Sequence, residues 1–151
     1  MKTLDIVDAI NALLVEKWPA RTVYIDVCPT DFARPSFWLA VEKDERSDAN
    51  RFLIRHNLQI RLTIYDEVDE HYETSWYRLA KDADEVMDLL TPVLVVGERH
   101  LQLTLKALPR DPDRACVQVN AVWMDIRPKP DTENTVPAAD SYAIRARGDI
   151  K

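Results

Sequence analysis

The chain contains 151 residues with a formal net charge of −6, and apolar residues make up 46% of it. This length fits one globular domain with a buried core. Only two glycines, Gly97 and Gly148, occur in the sequence. Because phosphate-binding loops and dinucleotide fingerprints need several glycines close together, both kinds of nucleotide site are excluded. The acidic balance argues against free-standing nucleic-acid binding, since phosphate contacts supply most of that affinity.

The hydrophobic pattern predicts helices and strands in a mixed order. In chain order, the predicted elements are a helix at 3–17, strands at 22–27, 36–43 and 52–65, a helix at 73–90, and strands at 93–96, 101–108 and 115–127. The order α-β-β-β-α-β-β-β predicts an α+β fold, in which both helices cover one face of a mainly antiparallel sheet. We expect this domain to span residues 1–127, with a proline-rich polar C-terminal arm at 128–151.

Both predicted helices are amphipathic, because apolar residues recur in each at helical spacing. These residues are Leu4, Val7, Ile10, Leu13 and Leu14 in the first helix and Trp76, Leu79, Ala83, Val86, Met87 and Leu90 in the second. Pro19 and Pro92 end the two helices. The two apolar stripes, with Trp76 among them, are therefore expected to face the sheet.

The strand at 52–65 has the clearest alternation in the chain. Its even-numbered positions are apolar apart from His56, and its odd-numbered positions are mostly polar. This pattern predicts one face in the core and one in water. The strand is long, and long strands often project from a domain and pair with another subunit. Polar residues at 44–50 predict a loop before it, and a slip in apolar parity near Ala121–Val122 predicts a bulge in the last strand.

Three arginines, Arg51, Arg55 and Arg61, line the polar side of the long strand. They could contact acidic residues of a neighbouring subunit or the phosphates of DNA. They could equally form a solvated strand face whose charges discourage unwanted pairing. The subunit contact is the hypothesis with a functional consequence.

No residue pattern indicates a catalytic, metal or cofactor site, and we expect none of the three. His56 fits a hydrogen-bonded core or interface histidine better than a catalyst or ligand. The acidic turn at 66–73 could hold a divalent cation, but it lacks the spacing of a calcium loop and fits a solvated turn. Cys28 and Cys116 are expected to be free thiols in a reducing cytoplasm. The chain is therefore expected not to be an enzyme.

A group of aromatic and proline residues carries a family resemblance. The first helix closes on Trp18-Pro19, and the next strand contains Tyr24. A short motif follows, made of Pro29, Phe32, Arg34, Pro35, Ser36 and Phe37. The prolines set backbone angles around a bend, and the two phenylalanines can anchor it in the core. Together with the order of elements over residues 3–127, these features resemble the phage tail-terminator family found in prophages of Gram-positive bacteria.

The resemblance implies a structural virion protein. Members of this family form a ring, expected here to be a homo-hexamer, that caps the head-proximal end of the tail tube and ends tail growth. The implied partners are other copies of the chain, the tail tube, the sheath protein where the tail is contractile, and the head-tail connector protein. DNA would pass through the ring without specific binding. The implied localisation is the head-proximal end of the virion tail, after synthesis in the host bacterial cytoplasm.

Three other functions remain compatible with the sequence. The chain could be another neck or head-completion protein, a tail assembly chaperone or adaptor, or an enzyme whose catalytic site is scattered through the fold. No apolar run approaches the roughly 18 residues of a membrane span, so no membrane partner is expected.

Overall fold

The computed structural model describes residues 1–129. The predicted arm at 128–151, apart from its first two residues, lies outside the described residues. The elements are α1 (Thr3–Lys17), β1 (Thr22–Ile25), β2 (Ser36–Asp48), β3 (Leu53–Tyr65), α2 (Trp76–Leu90), β4 (Leu94–Val96), β5 (Arg99–Leu101), β6 (Leu103–Ala107) and β7 (Arg114–Ile126). The predicted α+β fold and its order of elements are confirmed. The strand predicted at 101–108 is divided at Gln102 into β5 and β6.

The main sheet has five strands in the order β1-β2-β3-β7-β6, and β4 and β5 form a separate two-stranded ribbon. Strands β1 and β2 are parallel, and the other neighbours are antiparallel. Strand β3 lies at the centre, where it pairs along its whole length with β7, from Leu53↔Ile126 to Tyr65↔Arg114. The long strand predicted from its alternating pattern is thus the central strand of the sheet.

The core lies between one face of this sheet and the two helices. Helix α1 buries Ile6, Val7, Ile10 and Leu14, and helix α2 buries Leu79, Ala83, Val86 and Leu90. The even-numbered residues of β3 from Leu58 to Ile64 and the odd-numbered residues of β7 from Ala115 to Ala121 meet them from the sheet. Each fully buried Leu, Ile or Val side chain contributes about 1.5–3 kcal/mol through removal of apolar surface from water.

Two predictions about the strands were wrong. Residues 44–48, predicted as loop, continue β2, because they pair with β3 from Asp44↔Leu58 to Asp48↔Ile54. The bulge does not lie near Ala121–Val122, where the register with β3 is continuous. It lies in β2 between Val41 and Lys43. The parity slip in β7 arises because Val122 is an apolar residue on the uncovered face of the sheet, where it is 44% exposed.

Candidate interaction surface

One end of the main sheet extends beyond its edge strands. Strand β1 pairs with β2 only as far as Leu39, and β6 pairs with β7 only as far as Ala121. Past these points β2, β3 and β7 continue together as a three-stranded ribbon, which we call the tongue (residues 43–58 and 122–126). At about 3.3 Å per residue, the six residues of β2 in the tongue extend about 20 Å. The long strand therefore projects from the domain, and its two pairing partners, β2 and β7, belong to the same chain.

The face of the tongue that points away from the helices combines exposed apolar side chains with arginines. Val122, Met124 and Ile126 on this face are 44%, 51% and 80% exposed. Phe52, which is 69% exposed, lies at the tip of the tongue, just before β3 begins. Arg55 lies opposite Met124 in the register of β3 and β7. Apolar side chains grouped in this way on a soluble domain mark a site of interaction more often than scattered ones do.

The three predicted arginines occupy different environments. Arg51 and Arg55 are exposed on the tongue, and within residues 1–129 neither forms an ion pair. Arg61 lies further along β3 and forms an ion pair with Glu42, with 2.7 Å between Nε and Oε1. Since β3 is a central strand, its backbone groups are already paired with β2 and β7. A partner could therefore contact Arg55 and Arg61 through their side chains on the uncovered face, but it could not pair with the backbone of β3.

The opposite face of the tongue carries a polar cluster around Asp125. The His56 ring stacks on Trp123 with centroids 4.7 Å apart, and its Nε2 lies 3.4 Å from Asp125 Oδ2. Trp123 Nε1 donates a hydrogen bond to Asp125 at 3.0 Å, and Arg99 also donates to this carboxylate. Burial raises the pKa of Asp125, but the hydrogen bonds from Arg99 and Trp123 outweigh burial and hold the pKa below its usual range.

His56 is 6% exposed, as expected for a core or interface histidine. Its buried Nδ1 has no hydrogen-bond partner within the described part of the chain. An open cleft of about 660 Å³ adjoins this cluster, lined by the start of α1 and the inner face of the tongue. At one side of this cleft, Thr3 Oγ1 donates a hydrogen bond of 2.7 Å to the Asp44 carboxylate. This hydrogen bond joins the tongue to the start of α1.

The aromatic and proline motif brings three separate loops together. Phe37 is fully buried in the core, whereas Phe32 packs on Tyr65 with ring centroids 4.2 Å apart. Arg34 lies over both rings. It donates hydrogen bonds to the carbonyl of Asp66 at 3.1 Å, to the carbonyl of Asp113 at 3.1 Å and to the Asp113 carboxylate at 2.8 Å. The motif therefore ties the bend before β2 to the end of β3 and the start of β7.

The remaining motif residues support the same bend. The Arg34–Pro35 peptide bond is cis, and Pro29 lies in the turn that precedes it. Ser36 is fully buried at the start of β2, where it pairs with Tyr65 of β3. None of these positions forms a cleft with a nucleophile and a base within the described residues. The motif is a structural anchor in this arrangement.

A second exposed surface runs along the outer side of α2. Trp76 and Tyr77 are 64% and 70% exposed, so the prediction that Trp76 faces the sheet was wrong. Trp76 lies at the first turn of the helix, and Arg110 lies over its ring at 4.8 Å. A shallow groove of about 340 Å³, which we call the α2 groove, follows from there; its other lining residues are Ala80, Lys81, Asp84, Glu85 and Asp88. Helical periodicity alone could not distinguish this aromatic end from the core stripe.

The acidic turn is held by its own hydrogen bonds. Asp69 accepts hydrogen bonds from the backbone N–H groups of His71 and Glu73, and these bonds lower its pKa. Asp66 is buried and pairs with Arg78 at 2.8 Å. Within residues 1–129, no group of three or more His, Cys, Asp or Glu side chains is arranged to hold a metal ion.

Cys28 and Cys116 are both free thiols. Neither helix in the described part of the chain has the length and hydropathy needed to cross a membrane.

Comparison with known proteins adds little to this description. No family model matches the chain, and no curated protein matches it. One solved structure, of a protein that carries a sequence label in place of a descriptive name, is 14% identical over 87% of this chain and 99% of that chain, with a TM-score of 0.43. A similarity this weak carries no functional argument.

Proposed function

We propose that this chain is a tail-terminator protein of a bacterial virus, which forms a ring at the head-proximal end of the tail tube and ends its growth. The proposal starts from the sequence resemblance over residues 3–127, including the motif from Pro29 to Phe37. The α+β fold and the compact anchor built by that motif are compatible with it.

The observation that carries the proposal is the tongue. It presents exposed apolar side chains next to Arg51 and Arg55, whose charges have no ion-pair partner within residues 1–129. A surface of this composition is suited to contact with protein. Subunits of a cyclic ring need surfaces of this kind, because each copy must contact two neighbours.

The net charge of −6 is compatible with a ring through which DNA passes. Phosphates and a predominantly acidic wall repel each other, so the passing genome would not adhere to it. The implied protein partners are the tail tube, a sheath protein where the tail is contractile, and the head-tail connector. The ring would be part of the virion tail.

The first test is the solution mass of the purified chain, measured by light scattering over a concentration series and combined with negative-stain imaging. Six copies of the 17.4 kDa chain weigh about 104 kDa, and we expect an annulus of that mass. If the chain remains monomeric, purified tail tubes are added to trigger assembly. A chain that stays monomeric and binds no tail tube would overturn the proposal, and it would favour an assembly chaperone or adaptor.

A further inference from the structure

The α2 groove begins at the end of the sheet opposite the tongue. Strand β7 begins at Arg114 and ends in the tongue at Ile126. The start of α2 lies near the beginning of β7, because Thr74 donates a backbone hydrogen bond to Pro112 and Arg110 contacts Trp76. Two different surfaces on one subunit allow a head-to-tail contact between copies, which closes into a ring when the rotation permits.

The two surfaces are complementary in charge. On the tongue, Arg51 and Arg55 are exposed cations without an ion-pair partner among the described residues. In the groove, Asp84 and Asp88 are exposed and also have no ion-pair partner among the described residues. The neighbouring Lys81 lies 3.9 Å from Glu85 and can form an ion pair with it. Opposite charges in these two places favour contact between them and disfavour contact of either surface with itself.

The two surfaces also have a similar spacing of apolar and charged groups. On the outer face of the tongue, Ile126 is paired with Leu53, which is about 7 Å along the strand from Arg55. On the outer side of α2, Tyr77 is about 10 Å along the helix axis from Asp84. Each surface therefore has an exposed apolar or aromatic side chain within about 10 Å of the charged one. A tongue laid along the groove can place Ile126 near Tyr77 while Arg55 meets Asp84.

We infer that the tongue of one copy docks on the α2 groove of the next copy, with Arg55 paired with Asp84 across the contact. This inference rests on the proposed function, because it specifies how the ring subunits join. It also gives a role to Trp76, which the sequence pattern alone had assigned to the core. The occupant is a second copy of this chain, since both complementary surfaces are present on it.

Charge reversal on each surface tests the pairing. The variants are Arg55→Glu, Asp84→Arg and the double variant carrying both, and assembly of each is measured by light scattering over a concentration series. We expect each single variant to raise the concentration needed for assembly by about tenfold or more. The double variant restores the opposite charges within every contact and should assemble within about threefold of the unchanged chain.

An equal mixture of the two single variants provides a second, independent readout. In an alternating ring, the tongue of the Arg55→Glu variant meets the groove of the Asp84→Arg variant, where the two reversed charges attract each other. The remaining contacts keep the original pair of charges, so the mixture should assemble although neither variant does so alone.

Two further reversals serve as matched controls, Glu16→Arg for the change at Asp84 and Lys106→Glu for the change at Arg55. Both control residues are exposed, and each reversal changes the net charge by the same amount as its counterpart. Neither residue belongs to the tongue or to the α2 groove. The two controls should therefore assemble like the unchanged chain.

The possible failures are distinguishable. If the unchanged chain forms no ring, alone or on tail tubes, the proposed function falls together with this inference. If it forms a ring and both single variants assemble equally well, the inference is overturned and the proposed function stands. The inference is also overturned if the double variant assembles no better than the single ones, or if the two controls weaken assembly as much. Circular dichroism of every variant checks that the domain remains folded.

Discussion

Replacement of Arg34 by alanine should destabilise the domain more than replacement of an exposed arginine. Its guanidinium donates to two backbone carbonyls and one carboxylate, and its side chain is only 18% exposed. A hydrogen bond involving a charged group contributes about 1.5–3 kcal/mol when it is buried. Because water can partly replace the guanidinium at this site, we place the total near the value of one or two such bonds, at about 3 kcal/mol.

The free energy of unfolding is measured by urea denaturation followed by tryptophan fluorescence. Arg34→Lys retains the charge but loses the planar donor geometry and the stacking on Phe32 and Tyr65, so it should recover only about half of the loss. Arg51→Ala is the matched control, because Arg51 is exposed and forms no ion pair within residues 1–129; its guanidinium lies 5.6 Å from the centre of the Phe52 ring. It should change stability by less than about 0.5 kcal/mol. An Arg34→Ala variant as stable as this control would refute the role of Arg34 as an anchor.

Two further predictions concern single residues. Gly97 has a φ of 60°, and an added Cβ would meet no atom within 4 Å, so Gly97→Ala should cost only about 1 kcal/mol of unfolding free energy, from backbone strain. Burial opposes ionisation of Asp113, but Arg114 and Arg34 outweigh it and hold the pKa of Asp113 below 3.8. The stability contributed by this ionisation is complete above pH 3.8 and is lost as the pH falls further, so Asp113→Asn should flatten the acid limb of a plot of urea midpoint against pH.

The helices and the centre of the sheet were predictable because their patterns are local. The helical spacing of Ile6, Ile10 and Leu14 and the alternation from Leu58 to Ile64 each correspond to one buried face. A periodic pattern of this kind reports which side of an element meets the core, whatever its partner is. Helix α1 and strand β3 therefore have nearly the predicted bounds, and the predicted order of elements was correct.

The β2 part of the tongue was not predictable from its own residues, because it is a strand only through its pairing with β3. Residues 44–48 are polar and indicate a loop by composition, yet each of them has a pairing partner in β3. Likewise, Arg34 obtains its partners from Asp66 and Asp113, which are distant in sequence. Trp76 is held by Arg110, which is also distant in sequence. Contacts between distant residues decide all three features, and periodicity carries no information about them.

The bulge in β2 also determines how the tongue leaves the body of the sheet. Val41 pairs with Ile60 and Lys43 pairs with Gln59, so Glu42 is the extra residue. An extra residue bends its strand and increases the local twist. The Glu42 side chain extends to β3, where it forms the ion pair with Arg61 and accepts a hydrogen bond of 2.9 Å from Gln59. The bulge thus lies at the point where the ribbon begins to extend beyond β1.

Deletion of Glu42 should therefore be tolerated, because Val41 followed directly by Lys43 continues the register with β3 and keeps every later side chain on its present face. We expect a loss of about 1 kcal/mol, since the lost ion pair is partly exposed. Glu42→Ala removes the same contacts but keeps the bulge, and it should be equally stable. Deletion of Asn57 offers the contrast, because a one-residue shift in β3 moves its neighbours to the wrong face. If urea denaturation shows both deletions to be equally damaging, Glu42 is not the extra residue. If the bend directs docking, only deletion of Glu42 should impair ring assembly while Glu42→Ala leaves it intact.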